Sequence, residues 1–182
     1  MTRLRSAARF RACLRQVFLT VPLIALAWAA WPAAAQDDER PRWYSDDYDQ
    51  KTLLVYGIPH SDYVAMMFAC APGTNIVTLY LQDENSGARP GETLPVRLQA
   101  GGRHVEFSAT GLPNEDSGGA DFKADLPLND TLRQMLSAAG DLAVIIKGHT
   151  ERYPLAGVAT PAATLLAACD AAKPSGQSGT AQ

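Results

Sequence analysis

The sequence contains few of the residue types that enzymes use as nucleophiles, bases or metal ligands. It has three cysteines and three histidines in 182 residues. No C-x-x-C or H-x-x-x-H spacing is present, so the sequence predicts no zinc site. It also lacks the G-x-S-x-G nucleophile elbow and a glycine-rich phosphate loop between a strand and a helix. We therefore expect a non-enzymatic protein that needs no cofactor or metal.

The first 35 residues are predicted to be a secretory signal peptide. Residues 1–16 carry five arginines and no acidic residue, an apolar run follows over 17–31, and Ala33-Ala34-Ala35 has the small-x-small form of a cleavage site. These are the three parts of a signal peptide. An uncleaved membrane anchor is the alternative, but the run is near the lower length limit for a membrane span and prolines interrupt it. We expect cleavage after Ala35, a periplasmic or secreted location, and no stable membrane insertion afterwards.

Basic residues are scarce after the leader. Of the 16 basic residues five lie in the leader, which leaves 11 against 19 acidic residues and a net charge of −8. An acidic domain with scattered Lys and Arg lacks the basic patch with which proteins bind nucleic acid or anionic lipid. We therefore expect the partner to be another protein of the cell envelope. The sequence leaves the oligomeric state open.

Two cysteines remain after the leader, Cys70 and Cys169. An even number of cysteines in an exported chain favours a disulfide. Two alternatives stay open on the sequence alone: a pair of buried free thiols, and a reactive thiol activated by a histidine that is close only in space. A bridge would close a loop of about a hundred residues, a constraint worth about 4–5 kcal/mol in the chain-entropy model.

One β-rich domain is predicted over residues 51–172, between two polar segments. Residues 36–50 are acidic and are predicted to be a flexible lead-in, with Trp43 and Tyr44 available to dock. Residues 173–182 are rich in Pro, Gly and Ser and are predicted to be disordered. Period-two alternation predicts seven or eight short strands, at 53–56, 63–70, 76–81, twice within 93–110, and at 121–126, 142–147 and 151–155.

The clearest local unit is a hairpin over residues 93–110. Gly101-Gly102 is a two-residue turn signal between two alternating segments. In the register that this turn sets, the predicted pairs are Leu98 with Val105, Val96 with Phe107, Gln99 with His104, and Arg97 with Glu106. The apolar pairs share one face and the salt bridge lies on the other. Pro95 suggests that the first of these strands lies at a sheet edge, at least locally.

Two helices complete the prediction. Helical spacing of apolar residues predicts an amphipathic helix over 129–139, capped by Asn129 or Asp130 and ended by Gly140. Thr160-Pro161 predicts an N-cap followed by the first residue of a second helix that ends near Cys169. The fold class is therefore mainly β with two short helices, an antiparallel β-sandwich or open barrel whose C-terminal helix is tethered by a disulfide.

Several polar clusters were weighed as sites. His60-Ser61-Asp62 sets three triad residue types side by side, but a triad needs them from separate elements, so a turn is the preferred interpretation. His104 and His149 are predicted to be exposed. The acidic stretches at 46–49 and 114–117 are rich enough in oxygen for calcium but do not follow the EF-hand spacing, so solvated loops are preferred there.

The C-terminal stretch "YPLAGVATPAATLLAAC" carries the one resemblance to a known family. Its form, an aromatic, a Leu, a Gly, a short Ala/Leu helix and a Cys, resembles the end of small exported proteobacterial domains such as the VasI-like accessory proteins of type VI secretion. The likeness covers about residues 140–170, and the middle of the chain departs from that family. The resemblance implies a β-rich exported architecture and the disulfide, and no functional residue.

The sequence favours a protein-binding domain of the cell envelope as the function. Its candidate interaction surface comprises Trp43, Tyr44, Arg97 and His104, because strand edges and exposed aromatics serve recognition. The alternative is a binder of a small molecule or glycan inside an open barrel. A third hypothesis, a hydrolase or thiol enzyme, would use Cys70, His60 or His104.

Overall fold

The protein folds as one antiparallel sheet that curls into a half-barrel around two helices. A computed structural model describes residues 39–114 and 119–171. Within them lie the strands β1 Arg42–Tyr48, β2 Lys51–Gly57, β3 Val64–Cys70, β4 Ile76–Leu81, β5 Thr93–Ala100, β6 Arg103–Pro113, β7 Ala120–Pro127, β8 Asp141–Ile146 and β9 His149–Pro154, and the helices α1 Asp130–Leu136 and α2 Ala159–Asp170. In this part of the chain the strand order is β1-β2-β3-β4-β7-β6-β5-β8-β9. The mainly β fold is confirmed, and of the two predicted architectures the open barrel is right.

The concave face of the sheet is filled by side chains and by the helices. The largest side chains exposed by less than 2% come from strands across the sheet and from both helices, among them Leu54, Phe68, Leu79, Leu98, Phe122, Leu132, Leu142 and Leu165. Helix α2 packs on β1, β2 and β3, and α1 packs on β5 and β6. Side chains on the concave face of the strands and on both helices form the main core.

The predicted hairpin is present with every predicted pair. Strands β5 and β6 pair Leu98 with Val105, Val96 with Phe107, Gln99 with His104, and Arg97 with Glu106. Both turn glycines have positive φ, 56° at Gly101 and 74° at Gly102, as a two-residue hairpin turn requires.

The edge position suggested for β5 holds only locally at Pro95, because from Val96 to Gln99 the strand pairs with β6 on one side and with β8 on the other. Pro95 is tolerated there for a local reason. A two-residue turn makes its flanking pair, here Ala100 and Arg103, hydrogen-bonded, and bonded pairs then alternate along the hairpin. Pro95 therefore occupies a non-bonded pair, so the position of its missing N–H faces β8, and β8 pairs with β5 only from Val96 onward.

The flexible lead-in predicted for residues 36–50 is wrong for residues 42–48, which form the edge strand β1. Residues 36–38 lie outside the described part of the chain. Strand β1 pairs with β2 along its whole length, from Arg42 opposite Gly57 to Tyr48 opposite Lys51. The turn between them consists of Asp49 and Gln50, with φ of 48° and 59°. This turn contains no glycine, so it lacks the strongest sequence signal of a two-residue hairpin.

Both predicted helices are present with shifted bounds. Asn129 is the N-cap of α1, since its side chain accepts a hydrogen bond from the Leu132 N–H. Helix α2 begins at Ala159 rather than after a Thr160 cap, and Pro161 lies at its third position. A proline fits anywhere in the first turn because those N–H groups have no partner within the helix. The predicted signal peptide, residues 115–118 and the predicted disordered tail at 173–182 lie outside the described residues.

Candidate interaction surface

In the described residues β1 and β9 end the sheet, one at each edge. The β1–β2 turn is a two-residue turn, so the Tyr48–Lys51 pair is hydrogen-bonded and bonded pairs alternate from there. It follows that Tyr44 and Asp46 bond to β2, whereas the backbone N–H and C=O of Trp43, Ser45 and Asp47 point away from the sheet. Strand β1 therefore offers a row of outward backbone groups, the feature that lets a sheet accept another strand.

The β9 edge is built differently. Its turn, Lys147-Gly148, also has two residues of positive φ, 50° and 83°. The same alternation directs the backbone of Thr150, Arg152 and Pro154 outward. Pro154 has no N–H, and its carbonyl accepts a hydrogen bond from Trp43 Nε1 at 2.7 Å. A proline at this position prevents the end of β9 from acting as a strand template.

The convex face next to β1 carries a second, smaller hydrophobic cluster, which we call the outer patch. Leu53, Val55 and Ala69 are buried at its centre, and Tyr44, Val64, Met67 and Tyr80 are partly exposed around them. Lys123 Nζ lies 5.1 Å from the centre of the Tyr80 ring. The outer patch begins at β1, where Tyr44 pairs with Val55. Burial and the charge of Asp46 raise the pKa of Tyr44 above its ordinary value.

Charge is distributed unevenly along β1. The strand begins with Arg42, and Asp46 and Asp47 lie towards its end, with Asp49 in the turn that follows. Asp46 Oδ1 accepts the Asp47 N–H at 2.8 Å, and Asp47 Oδ1 accepts Thr52 Oγ1 at 2.8 Å. The exposed Tyr48, with 74% of its surface accessible, ends the strand. Strand β1 is thus basic at one end and acidic at the other.

A polar cleft lies at the mouth of the half-barrel, where β9 faces the ends of β3 and β4. Its volume is about 140 Å³, and it is lined by Tyr63, Ala65, Gln82, Glu84, Asn85, Glu151 and Tyr153. Glu151 is its centre: one oxygen accepts Asn85 Nδ2 at 2.7 Å, and the other accepts the Tyr153 hydroxyl at 2.7 Å. Burial and this carboxylate raise the pKa of Tyr153, so the phenol stays protonated at neutral pH. The arrangement suits hydrogen bonding to a polar ligand.

The four residues predicted as an interaction surface lie in three places. Trp43 is 5% exposed, and its ring contacts Tyr56 and Phe68, with centroids 5.2 and 6.5 Å apart. It is therefore a core residue, and the prediction that it forms an exposed contact is wrong. Tyr44 is partly exposed on the outer patch. The indole ring has little surface left for a partner because Trp43 lies in a paired strand and its side chain points into the core.

Arg97 and His104 lie on the convex side of the β5–β6 hairpin, as predicted, and both are exposed. Arg97 forms an ion pair with Glu106 across the strands. Five strands, β6, β7, β4, β3 and β2, lie between β5 and β1 in the sheet. The structure therefore does not bring these two residues together with Tyr44.

Cys70 and Cys169 form a disulfide, with their Cα atoms 5.6 Å apart. The bridge joins β3 to the last turn of α2, as predicted, and removes the alternatives of free or reactive thiols. The thiol-enzyme form of the third hypothesis thereby loses its nucleophile. The His60-Ser61-Asp62 cluster is an exposed turn, in which the N–H and the hydroxyl of Ser61 both donate to the Ile58 carbonyl, at 3.2 and 2.8 Å.

Over the described ranges 39–114 and 119–171, no group of three or more His, Cys, Asp or Glu side chains is arranged to hold a metal ion. The first acidic stretch weighed for calcium lies in β1 and its turn. The second includes residues 115–117, which fall in the undescribed gap. In the same ranges, no helix has both the length and the apolar character needed to span a membrane.

The polar cleft and the open β1 edge were missed by sequence reasoning. Asn85 and Glu151 are 66 residues apart, and no local spacing links them, because the curl of the sheet brings them together. Strand β1 did carry a signal: Trp43 and Tyr44 precede alternating polar residues and an Asp-Gln pair, and Asp tolerates the left-handed conformation of a turn.

Comparison with known proteins found distant structural similarity. No protein-family model matches the chain, and no curated protein matches it. A solved structure, that of invasion associated protein B from Bartonella henselae, is similar over 70% of this chain and 93% of its own, with 14% sequence identity and a TM-score of 0.42. At this level nothing about the function of this chain follows from the similarity. The C-terminal resemblance to VasI-like proteins stays a prediction.

Proposed function

We propose that the protein is an exported, non-enzymatic domain of the cell envelope that acts by binding another protein through the β1 edge and the outer patch. The observation that carries the proposal is the row of outward backbone groups on β1 directly beside partly exposed aromatic side chains. Backbone groups of this kind supply affinity in strand addition, and neighbouring side chains supply specificity.

The disulfide supports the location. A bridge between β3 and α2 forms and persists in an oxidising compartment such as the periplasm or the extracellular space. Together with the predicted leader it supports export, and within the periplasm or outside the cell the partner would be another envelope protein. The predicted association with a VasI-like, type VI secretion role would concern the identity of that partner.

A photo-crosslinking amino acid at position 48 in living cells tests the proposal. Tyr48 is 74% exposed at the end of β1, so we expect a discrete covalent adduct with a protein that mass spectrometry can identify. The matched control is the same amino acid at Gln99, an exposed position on the convex face of an internal strand. Adducts at both positions alike, or at neither, would contradict the proposal.

The polar cleft supports a second candidate function, the binding of a small polar molecule or a glycan. Tyr63 is 46% exposed and stands beside the carboxylates and amides of the cleft, a combination that suits a polyhydroxylated ligand. A ligand selective for the folded protein raises its melting temperature. We expect such a shift from one member of a glycan and metabolite panel and its loss in Glu151→Gln; a panel without any shift would count against this candidate.

A further inference from the structure

We propose that the partner of the β1 edge is a second copy of this chain, paired antiparallel with β1 about a two-fold axis at Ser45. The inference rests on the proposed function, because it names the occupant of the same edge. The two sheets would continue into each other across the axis, and each molecule would supply the same strand.

The residues of β1 whose backbone groups point outward are the ones that this register pairs. In it Ser45 lies opposite Ser45 of the second copy, and Trp43 lies opposite Asp47. All three residues are those whose N–H and C=O point away from β2. The register therefore joins outward groups to outward groups over the full seven residues of the strand. It requires Asp47 to exchange the local bond to Asp46 Oδ1 for an intermolecular one.

The charge gradient of β1 is complementary to itself only when two strands run antiparallel. Arg42 then lies opposite Tyr48 of the second copy and diagonal to its Asp46. A parallel pair would instead set the acidic ends side by side. Cross-strand and diagonal neighbours of opposite charge are favourable and like charges opposite each other are not, so the gradient selects the antiparallel two-fold arrangement. An arginine over the Tyr48 ring adds a cation–π contact.

The outer patch gives the same register an apolar component. Tyr44 lies where the outer patch meets β1, and in the proposed dimer both patches meet across the axis. The pairing also covers Tyr48, the most exposed of the large hydrophobic residues described. Since the interface is isologous, it uses the β1 edge of both molecules and closes at two copies. Pro154 at the end of the β9 edge opposes the growth of open fibres.

Sedimentation velocity over a wide range of concentration tests the proposal on the chain expressed in full with its own leader. We expect a reversible dimer. Ser45→Pro removes the two hydrogen bonds exchanged at the axis and leaves the β2 pairing intact, because this N–H points outward. It should weaken dimerisation by about tenfold or more. The matched control is Thr150→Pro, which removes an outward N–H from the β9 edge and should leave the dimer unchanged.

Opposite charge reversals provide a second test that a folding defect cannot mimic. Arg42→Asp places two carboxylates at the diagonal contact between positions 42 and 46, and Asp46→Arg places two guanidinium groups there. Each variant should be a monomer on its own, while an equimolar mixture should form a heterodimer with restored affinity. A wild-type monomer up to millimolar concentration, a dimer that Ser45→Pro does not weaken, a Thr150→Pro variant that is equally weakened, or a mixture that stays monomeric would overturn the proposal.

The dimer and the proposed function can fail separately. The crosslinker at position 48 reports both: an adduct of twice the chain mass supports the second copy as occupant. A monomer in sedimentation that still gives an adduct with a different envelope protein would overturn the dimer and retain the protein-binding function.

Discussion

The two edge strands of the described sheet, β1 and β9, are built alike, but we expect only β1 to bind another strand. Each is the outer strand of a hairpin closed by two residues of positive φ, Asp49-Gln50 for β1 and Lys147-Gly148 for β9. The β9 edge ends in a proline whose carbonyl is taken by the Trp43 indole. The β1 edge has no proline and runs beside the outer patch. The proposed difference in binding between the edges therefore depends on which outward backbone groups are available and on the neighbouring side chains, because the turns are alike.

Removing the disulfide is expected to cause the largest loss of stability. The loss should be concentrated in the part of the sheet that contains β1. Helix α2, which the bridge fastens to β3, packs on β1, β2 and β3. Replacing both cysteines by alanine should lower the free energy of unfolding by about 4 kcal/mol, since the closed loop spans about a hundred residues. Urea denaturation measures the loss. Hydrogen exchange should accelerate in β1–β3 more than in β8–β9, and equal acceleration at both edges would contradict the asymmetry.

Trp43 holds the two edges together, so Trp43→Phe should give the next largest effect. Phenylalanine keeps an aromatic ring against Tyr56 and Phe68 but removes the Nε1–H that donates to the Pro154 carbonyl. We expect a loss of about 1–3 kcal/mol, because a part-buried carbonyl is left without its donor. Thermal unfolding tests this. A Trp43→Phe protein as stable as the wild type would show that the two ends of the sheet need no such link.

Exchanging the turn chemistry should shift stability in opposite directions at the two edges. Gln50 has a φ of 59° and Gly148 a φ of 83°. Because a side chain in the left-handed region costs about 1 kcal/mol, Gln50→Gly should stabilise and Gly148→Gln should destabilise by amounts of that order. Chemical denaturation of both variants measures the difference. Stability changes of the same sign in both variants would show that the positive φ of these residues does not determine the stability of the turns.

The smallest expected change in stability concerns the ion pair between α1 and α2, which pack on different parts of the sheet. Arg133 donates to both oxygens of Asp170, at 3.0 and 2.6 Å, and this lowers the pKa of Asp170 below its ordinary value. A depressed pKa contributes stability that is present above the unfolded-state pKa and is lost as the pH falls through the folded-state pKa. Arg133→Met should therefore reduce stability slightly at neutral pH and flatten its decline in acid. A melting-temperature profile against pH that is identical in both proteins would contradict this role.

Local patterns predicted the parts of the fold that carry local signals. The β5–β6 register followed from a Gly-Gly turn flanked by two alternating segments, and the α1 cap followed from Asn129 before an apolar periodicity. Strand β1 has the composition of a flexible segment, since only Trp43 among its residues is buried and its turn has no glycine. An edge strand with one buried side chain resembles a solvated loop in composition.

The candidate site was less predictable than the fold, because it depends on contacts made by the curl of the sheet. Trp43 and Pro154 are 111 residues apart, and nothing near either residue indicates that they meet. The curl of the sheet also buries Trp43, although the polar composition of the surrounding residues predicts that it is exposed. The sequence does contain the charge gradient of β1, but its meaning depends on knowing that residues 42–48 form a strand at the edge of the sheet in the described part of the chain.

The Ser45 amide offers the most direct test of the central claim, that β1 is the edge that binds. Its hydrogen exchange can be followed by NMR at low and high protein concentration, with the Thr150 amide of β9 as the internal reference. The account predicts that exchange at Ser45 slows as the concentration rises and that exchange at Thr150 does not change. Exchange at Ser45 that is independent of concentration, or that slows only together with Thr150, would contradict it.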